Sequence, residues 1–559
     1  MSPGRPFYGE AMSRSRAALA ASAILCLGGT LGQATTIRAP QAAMPSVGIG
    51  TVAQLRAFPP PALPTEAVVS GYTLPRDGGG GRFRFDPGSC ASDNQGTVIA
   101  PVPTPGCGRW IRIDMESPSV KWFGARGDGQ TADTDAIQAA VNALPPGATL
   151  RFPTGTYRIE TDKGIHLKDD MRLDLVGATL VGGNVEGARC RVFEIQGRRN
   201  IVISGGTLIG SHSGSPEWGV GILASDVQDL TIENTWFRDF HQDGILLTGN
   251  QGCQRVVVRG CVAVNNRRTG LAIVHASDVT VEASTFGGSR GQSPEAGVNC
   301  EPNPGEAVRN VRFNGCWLTG NAGVGLYAQR GLGAAVSNVS VESCVIERNG
   351  SGIVASGVEG ASIVANRVVG HLGRMRSGIA LGEGTTRATV VGNWLTENFR
   401  GILSSGATGV EIRENTVVGT GPVPSAEAVA RDGIACLGAE KMLAHACIVA
   451  NNTVRRSGAN GIVARLVSHV QLLDNTIEDV GHRGILLHST GNSEVRNNTI
   501  SGSGQELPPG RYDAIELEQL SYLNKVIGNV IHRSSGMRTP IGVAPDCRGN
   551  WILANTVLP

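Results

Sequence analysis

Aromatic residues make up only 4% of this 559-residue chain, too few to fill several conventional compact cores. A charge surplus of either sign is missing too: the formal net charge is +2, with Lys and Arg scattered along the sequence. Without a basic surplus to neutralise phosphates, no nucleic-acid partner is expected. Beyond the N-terminal region no stretch reaches the roughly 18–20 apolar residues that a membrane span needs, so no stable membrane anchor is expected. The twelve cysteines include no CxxC pair, which removes the common zinc sites, and they do not resemble a disulfide scaffold. The Gly127-Asp128-Gly129 string lacks both the P-loop lysine and the dinucleotide-binding spacing, so a nucleotide site is not indicated.

What the chain has in abundance is glycine, 78 residues, about twice the usual share. Together with frequent Val, Ile, Asn and Thr, this suits many short strands joined by tight turns. At the N-terminus, Arg14 and Arg16 precede the apolar run Ala17–Leu27, and small residues follow to Ala34. Residues 1–34 are therefore expected to be a signal peptide, with Met12 as an alternative start, and the product to be secreted or periplasmic. Cys90 and Cys107 flank a loop that one bridge would close in an oxidising compartment. Residues 35–50 carry little pattern and are expected to be a linker. Residues 51–116 alternate at Arg82-Phe83-Arg84-Phe85 and Trp110-Ile111-Arg112-Ile113, the pattern of a small β module.

From about residue 165 the chain repeats. Glycines open successive aliphatic stretches at Gly221, Gly244, Gly270, Gly297, Gly325 and onward to Gly484, at spacings of 23 to 32 residues. No segment sustains a helical period, so the repeat is that of a β-solenoid. Equivalent residues of adjacent coils then stack about 4.8 Å apart. The recurring Asn366, Asn393, Asn415, Asn452, Asn475, Asn498 and Asn529 would form a structural column whose amides satisfy turn backbone. Cys261, Cys316 and Cys344 share one register and read as small inward packing residues, with a disulfide between adjacent coils as the alternative.

Ahead of the repeats, Asp133-Thr134 and the stripe Ala136, Ile137, Ala140, Val141, Leu144 predict a capped helix stopped by Pro145-Pro146-Gly147. The whole string "KWFGARGDGQTADTDAIQAAVNAL…GATLRFPTGTYRI" resembles the opening segment of the pectate-lyase-like superfamily, in the branch shared by exported bacterial polysaccharide enzymes and phage tailspikes. The preceding "GYTLPRDGGGGRFRFDPGS…GCGRWIRI" resembles the small module often found before it. The resemblance implies an all-β chain: a right-handed parallel β-helix over residues 117–559, with an N-terminal capping helix and that small β module. It also implies a polysaccharide partner and a monomer or homotrimer. The branch includes lyases, glycoside hydrolases, epimerases and non-catalytic tailspike-like binders, so fold alone does not choose. The Asn-Thr-Asp, Gly-Asp-Asp, Asp-Pro-His and Trp-Ile-Asp-His strings of its better-known enzymes are absent here, and no catalytic residue is carried over by motif.

Register supplies candidates instead. If the first and third residues after each glycine are buried, the second and fourth face outward. Most of these outward slots are small or apolar, but the coils from Gly270 to Gly325 place Asn299, Glu301, Tyr327 and Gln329 there, with His275 and Arg330 just beyond. His241, Asp243, Arg267, Arg268 and Glu295 lie just before glycines, and Trp218 stands ready to stack on a sugar ring. Elimination at a uronate would use His275 or Tyr327 for proton transfer and Arg267, Arg268 or Arg330 as the cation. A carboxylate-pair hydrolase would use Asp243 and Glu295, about 10 Å apart, whereas Asp243 and Glu301 at about 16 Å are a poor pair. A Ca²⁺ site through Glu295 and Glu301 is an open alternative that needs more oxygen ligands than the sequence places. A second polar patch comprises His482, Arg483, His488, Arg511, Tyr512, Asp513, Glu516 and Glu518. It ranks behind the first because the C-terminal end of a solenoid needs polar capping residues anyway. The leading expectation is thus an eliminative lyase acting on a uronic-acid polysaccharide. In "GVNCEPNP", Gly297–Pro304, Val298 and Cys300 are expected inward, Asn299 and Glu301 outward, with His275 and Tyr327 as Glu301's neighbours.

Overall fold

The computed structural model describes residues 45–103, 106–160, 162–182, 191–211, 219–371, 376–421, 431–438, 444–506 and 508–559. The expected signal peptide and Trp218 lie outside them. Among the described residues no helix is long and apolar enough to cross a membrane.

The body is a right-handed parallel β-helix whose coils each contribute one strand to each of three parallel sheets. A typical coil runs from Arg199–Ser204 in the first sheet, through Thr207–Ile209 in the second, to Val220–Ser225 in the third. Among the described residues the third sheet holds 15 strands, from Ile165–His166 to Ile541–Val543. Its register matches the glycine series: Leu271, Val298, Leu326 and Ile353, each one residue after a glycine, stack in one buried column. The glycines are required by close approach. A Cβ on Gly297 would lie 2.8 Å from the carbonyl oxygen of Gly325 and 2.9 Å from Asn321 Nδ2.

The asparagine column forms as the register implies. Asn415 Nδ2 donates to Asn452 Oδ1 at 3.0 Å, and Asn452 Nδ2 to Asn475 Oδ1 at 3.0 Å. Each Oδ1 also accepts the backbone N–H of the preceding asparagine, as Asn452 does from Asn415 N at 2.9 Å. Cysteines extend the same column upward, with Cys316 N donating to Cys344 Sγ at 3.3 Å and Cys344 N to Asn366 Oδ1 at 2.9 Å. Cys261, Cys316 and Cys344 are free and buried, so packing rather than a disulfide accounts for them. A second ladder, between the second and third sheets, runs Asn321, Asn349, His371, Asn398.

The capping helix spans Thr134–Ala143 and buries Ile137, Ala140 and Val141. Asp133 stands at its N-cap position, but its carboxylate does not cap the helix. It accepts instead from the backbone of Arg126, at 2.6 Å, and of Gly127, at 3.1 Å, tying down the Gly-Asp-Gly turn.

The N-terminal module is a five-stranded sheet around Phe83, Phe85 and Trp110. Its first strand, Ser46–Thr51, takes in the end of the segment expected to be a linker. Pairing with Glu66–Gly71 orders it and buries Ile49. Cys90 and Cys107 are bonded. Arg112 joins the module to the solenoid: its guanidinium lies 4.5 Å from the Phe83 ring centroid and 4.4 Å from that of Trp122. Burial lowers its pKa to about 10.

Candidate functional site

Two clefts open on the outer face of the third sheet, and both have apolar floors. Leu246 and Val274 floor the first; Val463, Leu486 and Leu437 floor the second. These are outward slots that the sequence marks as small or apolar, so the floors follow from the repeat while the walls come from loops at the two ends of the third-sheet strands.

The first cleft, about 500 Å³, lies in the coils of the first sequence patch and gathers only some of its members. Asp243, Arg268 and Glu301 line it together with Gln242 and the Pro302-Asn303-Pro304 turn. Asp243 is 1% exposed, accepts from Thr269 Oγ1 at 2.6 Å and from Arg268 at 3.1 Å, and has its pKa raised by burial. Asp243 and Glu301 sit at opposite ends of the cleft, because five residues of strand, about 16 Å, separate their register positions. Glu301 accepts from Asn299 Nδ2 at 3.1 Å, and its charge acts with burial to raise the Tyr327 hydroxyl pKa. Tyr327 is therefore its neighbour as expected, but Asp243 shares its cleft as well. Asn299 faces away from the core yet is buried, 1% exposed, because Ala272 and Tyr327 flank it on the neighbouring strands.

The other members of that patch are spent elsewhere. Glu295 turns into its own loop, accepting from Gly291 N at 2.7 Å, and does not line the first cleft with Asp243 and Glu301. His275 Nδ1 bonds the Gly249 carbonyl oxygen at 2.8 Å, on the preceding coil. Arg330 runs the opposite way, across Gly357 and Gly384 of later coils, where the missing side chains make room for it. Arg267 Nη1 lies 3.1 Å from the His241 ring nitrogens. Gln329 ends its strand beside Ser356. Register put these groups on adjacent coils correctly, but long side chains choose their own direction along the axis.

The second cleft is larger, about 610 Å³, and gathers the second patch. Residues just before successive glycines, Arg400, Asp432, Asn460 and Arg483, form a column that continues to Asp513, four steps or about 19 Å along the axis. Arg483 Nε binds Glu516 at 2.5 Å and its Nη2 reaches Glu518 at 3.3 Å, while His488 Nδ1 lies 3.0 Å from Glu518. Arg538 clasps Asp513 at 2.9 Å through Nε and also reaches Glu516 at 3.1 Å. Tyr512 stacks on His482 with ring centroids 4.2 Å apart, and the Arg483 and Arg511 guanidiniums lie 5.1 and 5.3 Å from the same ring. His482 Nε2 is hydrogen-bonded to Glu506. Burial lowers the His482 pKa, against the pull of Glu506, and so favours the neutral ring.

Five arginines line this cleft against three carboxylates: Arg400, Arg465, Arg483, Arg511 and Arg538, with Asp432, Glu516 and Glu518. Arg400 is 8% exposed, and among the described residues its Nε has no hydrogen-bond partner, the nearest Asp432 oxygen being 4.0 Å away. A buried guanidinium with an unsatisfied donor lining a cleft is poised for an anion. Sequence reasoning missed Arg400, Asp432, Asn460, Arg465, Glu506 and Arg538. The signal for the first three was the residue before each glycine, a column read only in the earlier coils. Among the described residues there is no cluster of three or more His, Cys, Asp or Glu side chains arranged to hold a metal ion.

Comparison with known proteins agrees with this architecture. Residues 117–373 match the model described as rhamnogalacturonase A/epimerase, pectate lyase-like, and residues 427–557 match the right handed beta helix region. The chain belongs to the pectate-lyase-like superfamily of right-handed parallel β-helices. Residues 48–115 match the phage tail protein small four-stranded beta-sheet domain, the module ahead of the solenoid. Among curated relatives of this superfamily member, an uncharacterized protein YclG of Bacillus subtilis is 26% identical over 317 residues, covering 49% of this chain and 54% of that one. An exo-poly-alpha-D-galacturonosidase of Dickeya chrysanthemi is 40% identical over 67 residues, 12% of this chain and 11% of its own. The chain thus spans about half the length of the first relative and a small part of the second. Among solved structures, the tailspike gp49 of Acinetobacter baumannii bacteriophage Fri1, a capsular polysaccharide depolymerase, is 17% identical with a TM-score of 0.45, covering 66% of this chain and 72% of its own. The A-module of the Azotobacter vinelandii mannuronan C-5 epimerase AlgE6 is 16% identical with a TM-score of 0.37, covering 79% and 100%.

Proposed function

We propose that this protein is a secreted or periplasmic enzyme that cleaves a uronate-containing polysaccharide by elimination in the second cleft. The observation that carries the reading is the arginine excess of that cleft, with the buried Arg400 Nε unpartnered among the described residues. A groove that follows the solenoid axis for about 19 Å would hold several sugars of an extended chain, and the name of the Dickeya chrysanthemi relative, an exo-poly-alpha-D-galacturonosidase, supports that substrate class.

In this reading the carboxylate beside the reacting carbon docks on Arg483, next to His482, which offsets the charge that builds up as that carbon loses its proton, while Arg400, three coils or about 14 Å along the column, holds the carboxylate of another uronate of the same chain. His482 is the base. Its Nε2 donates to the Glu506 carboxylate, which leaves Nδ1 with the lone pair that takes the proton. The electron pair left on carbon forms a double bond to the adjacent ring carbon as the glycosidic C–O bond breaks. The Tyr512 hydroxyl supplies a proton to the departing oxygen. Glu506 orients the imidazole and keeps it from losing basicity altogether.

Hydrolysis has one supporting observation, the buried Asp243 with its raised pKa in the first cleft, but its distance from Glu301 fits neither glycosidase geometry. Incubation with polygalacturonate, alginate and glucuronan tests the proposal. Elimination generates an ultraviolet-absorbing unsaturated end with every cut. New reducing ends without that absorbance indicate hydrolysis. Inverted uronate stereochemistry without chain cleavage indicates an epimerase, and binding without any product indicates a tailspike-like binder. Each of these three outcomes overturns the proposal.

A further inference from the structure

Among the described residues four tryptophans stand on the surface, Trp236, Trp317, Trp394 and Trp551, at 44–59% exposure. Three of them share one outward column of the second sheet. The register runs Trp236, Val262, Thr285, Trp317, Val345, Arg367, Trp394. A ring therefore recurs every third coil, about 14 Å apart each time. The outward positions between the first two rings are short, Val262 and Thr285, and the parallel outward row beside them carries Val264, Gly287 and Thr319, so the rings rise from a flat strip. This face is a different one from that bearing the two clefts, which open on the third sheet.

We propose that this tryptophan row is a polysaccharide-binding platform on which an extended glycan lies along the solenoid axis. Three observations select a glycan. The rings are separated by Val262 and Thr285 on one side and by Val345 and the charged Arg367 on the other, and cannot form the continuous apolar core, about 800 Å² per partner, that a stable interface with a second copy of the chain requires. The arginines beside the strip are engaged: Arg238 pairs with Asp239 at 3.2 Å, and Arg367 shares Glu347 with Arg348, at 3.4 and 2.7 Å, while its guanidinium lies 5.4 Å from the Trp394 ring centroid. A phosphate polymer needs a row of unpaired cations, which these paired arginines do not form. An indole face matches the apolar C–H face of a pyranose ring, and a constant step along a straight line matches a stiff polymer with a constant repeat. The row would keep a long chain in place while the cleft acts on it, but it stands independently of what the cleft does.

The test is affinity electrophoresis of the full-length chain in gels cast with polygalacturonate, alginate or xylan, with wild type, Trp317→Ala and the triple Trp236→Ala/Trp317→Ala/Trp394→Ala variant run side by side. The expected result is retardation of the wild type on at least one polymer, weakened several-fold in the single variant and abolished in the triple variant. Thermal midpoints should be unchanged, since the rings are exposed, and turnover of short oligosaccharides in the cleft should be unchanged too. Equal retardation of wild type and triple variant, or no retardation on any of the three polymers, overturns the proposal. So does a concentration-dependent dimer that the triple variant loses, because the rings would then join two copies of the chain.

Discussion

His482 concentrates the chemistry of the second cleft, being stacked on Tyr512, bonded to Glu506 and largely buried. Replacing it with Gln is expected to lower kcat by about 10²–10⁴-fold with little change in KM, measured as the rate of unsaturated product. Its neutral form is the base, so activity should rise with pH through a pKa below the ordinary value of about 6.5. Glu506 raises that pKa against the effect of burial. Glu506→Gln should therefore move the acid limb of the pH profile to lower pH while reducing kcat. An acid limb that stays put would remove Glu506 from the mechanism. A different histidine governs stability. His371 is fully buried in the second ladder, where Nδ1 accepts from Asn349 N at 3.2 Å, and burial depresses its pKa. Above about pH 6.5 neither folded nor unfolded chain is protonated there, and as pH falls below it the unfolded state alone takes up a proton. Stability attributable to His371 is thus present above that pH and lost on acidification. His371→Asn, which restores the ladder's usual residue, should flatten the dependence of Tm on pH between about 6.5 and 5.

At the scale of elements, the stacked ladders hold the turns in register. Asn452 accepts twice from Asn415 and donates to Asn475, Ile412 and Ala450, all within 3.0 Å. Asn452→Ala would orphan several of these buried groups, and the expected cost in denaturant melts is about 3 kcal/mol. Because each coil touches only its neighbours, hydrogen-exchange protection should fall around residues 410–480 and hold near the N-terminal helix. The first ladder was readable in the sequence because one residue type returns at one phase from Asn366 to Asn529, whereas the second, Asn321 to Asn398, was not read, since His371 interrupts it. The glycine series was readable for a related reason: no other residue fits beside the next coil's carbonyl, as at Gly297. The direction of long side chains was not readable. His275, Glu295 and Arg330 have the expected positions, but they bond along the axis or into their own loops. In "GVNCEPNP" the inward and outward alternation held, yet outward did not mean exposed, since Asn299 is covered by its flanking strands.

At the scale of the molecule, one long sheet face carries two clefts, and register alone carries no information on their charge balance. Composition made the patches look alike. What separates them is charge balance and continuity: the first cleft has Arg268 facing Asp243 and Glu301, while the second sets five arginines against three carboxylates along a column of successive coils. The second also is not a terminal cap, because a further strand, Ile541–Val543, stacks beyond Glu516. The account's central claim is that an anionic chain lies in this second cleft. A crystal of the His482→Gln variant soaked with a uronate oligosaccharide tests it most directly. The account predicts sugar density between Arg400 and Arg538 with a carboxylate on Arg400 Nε or Arg483. Density confined to the Asp243–Glu301 cleft, with the second cleft holding solvent alone, would contradict it.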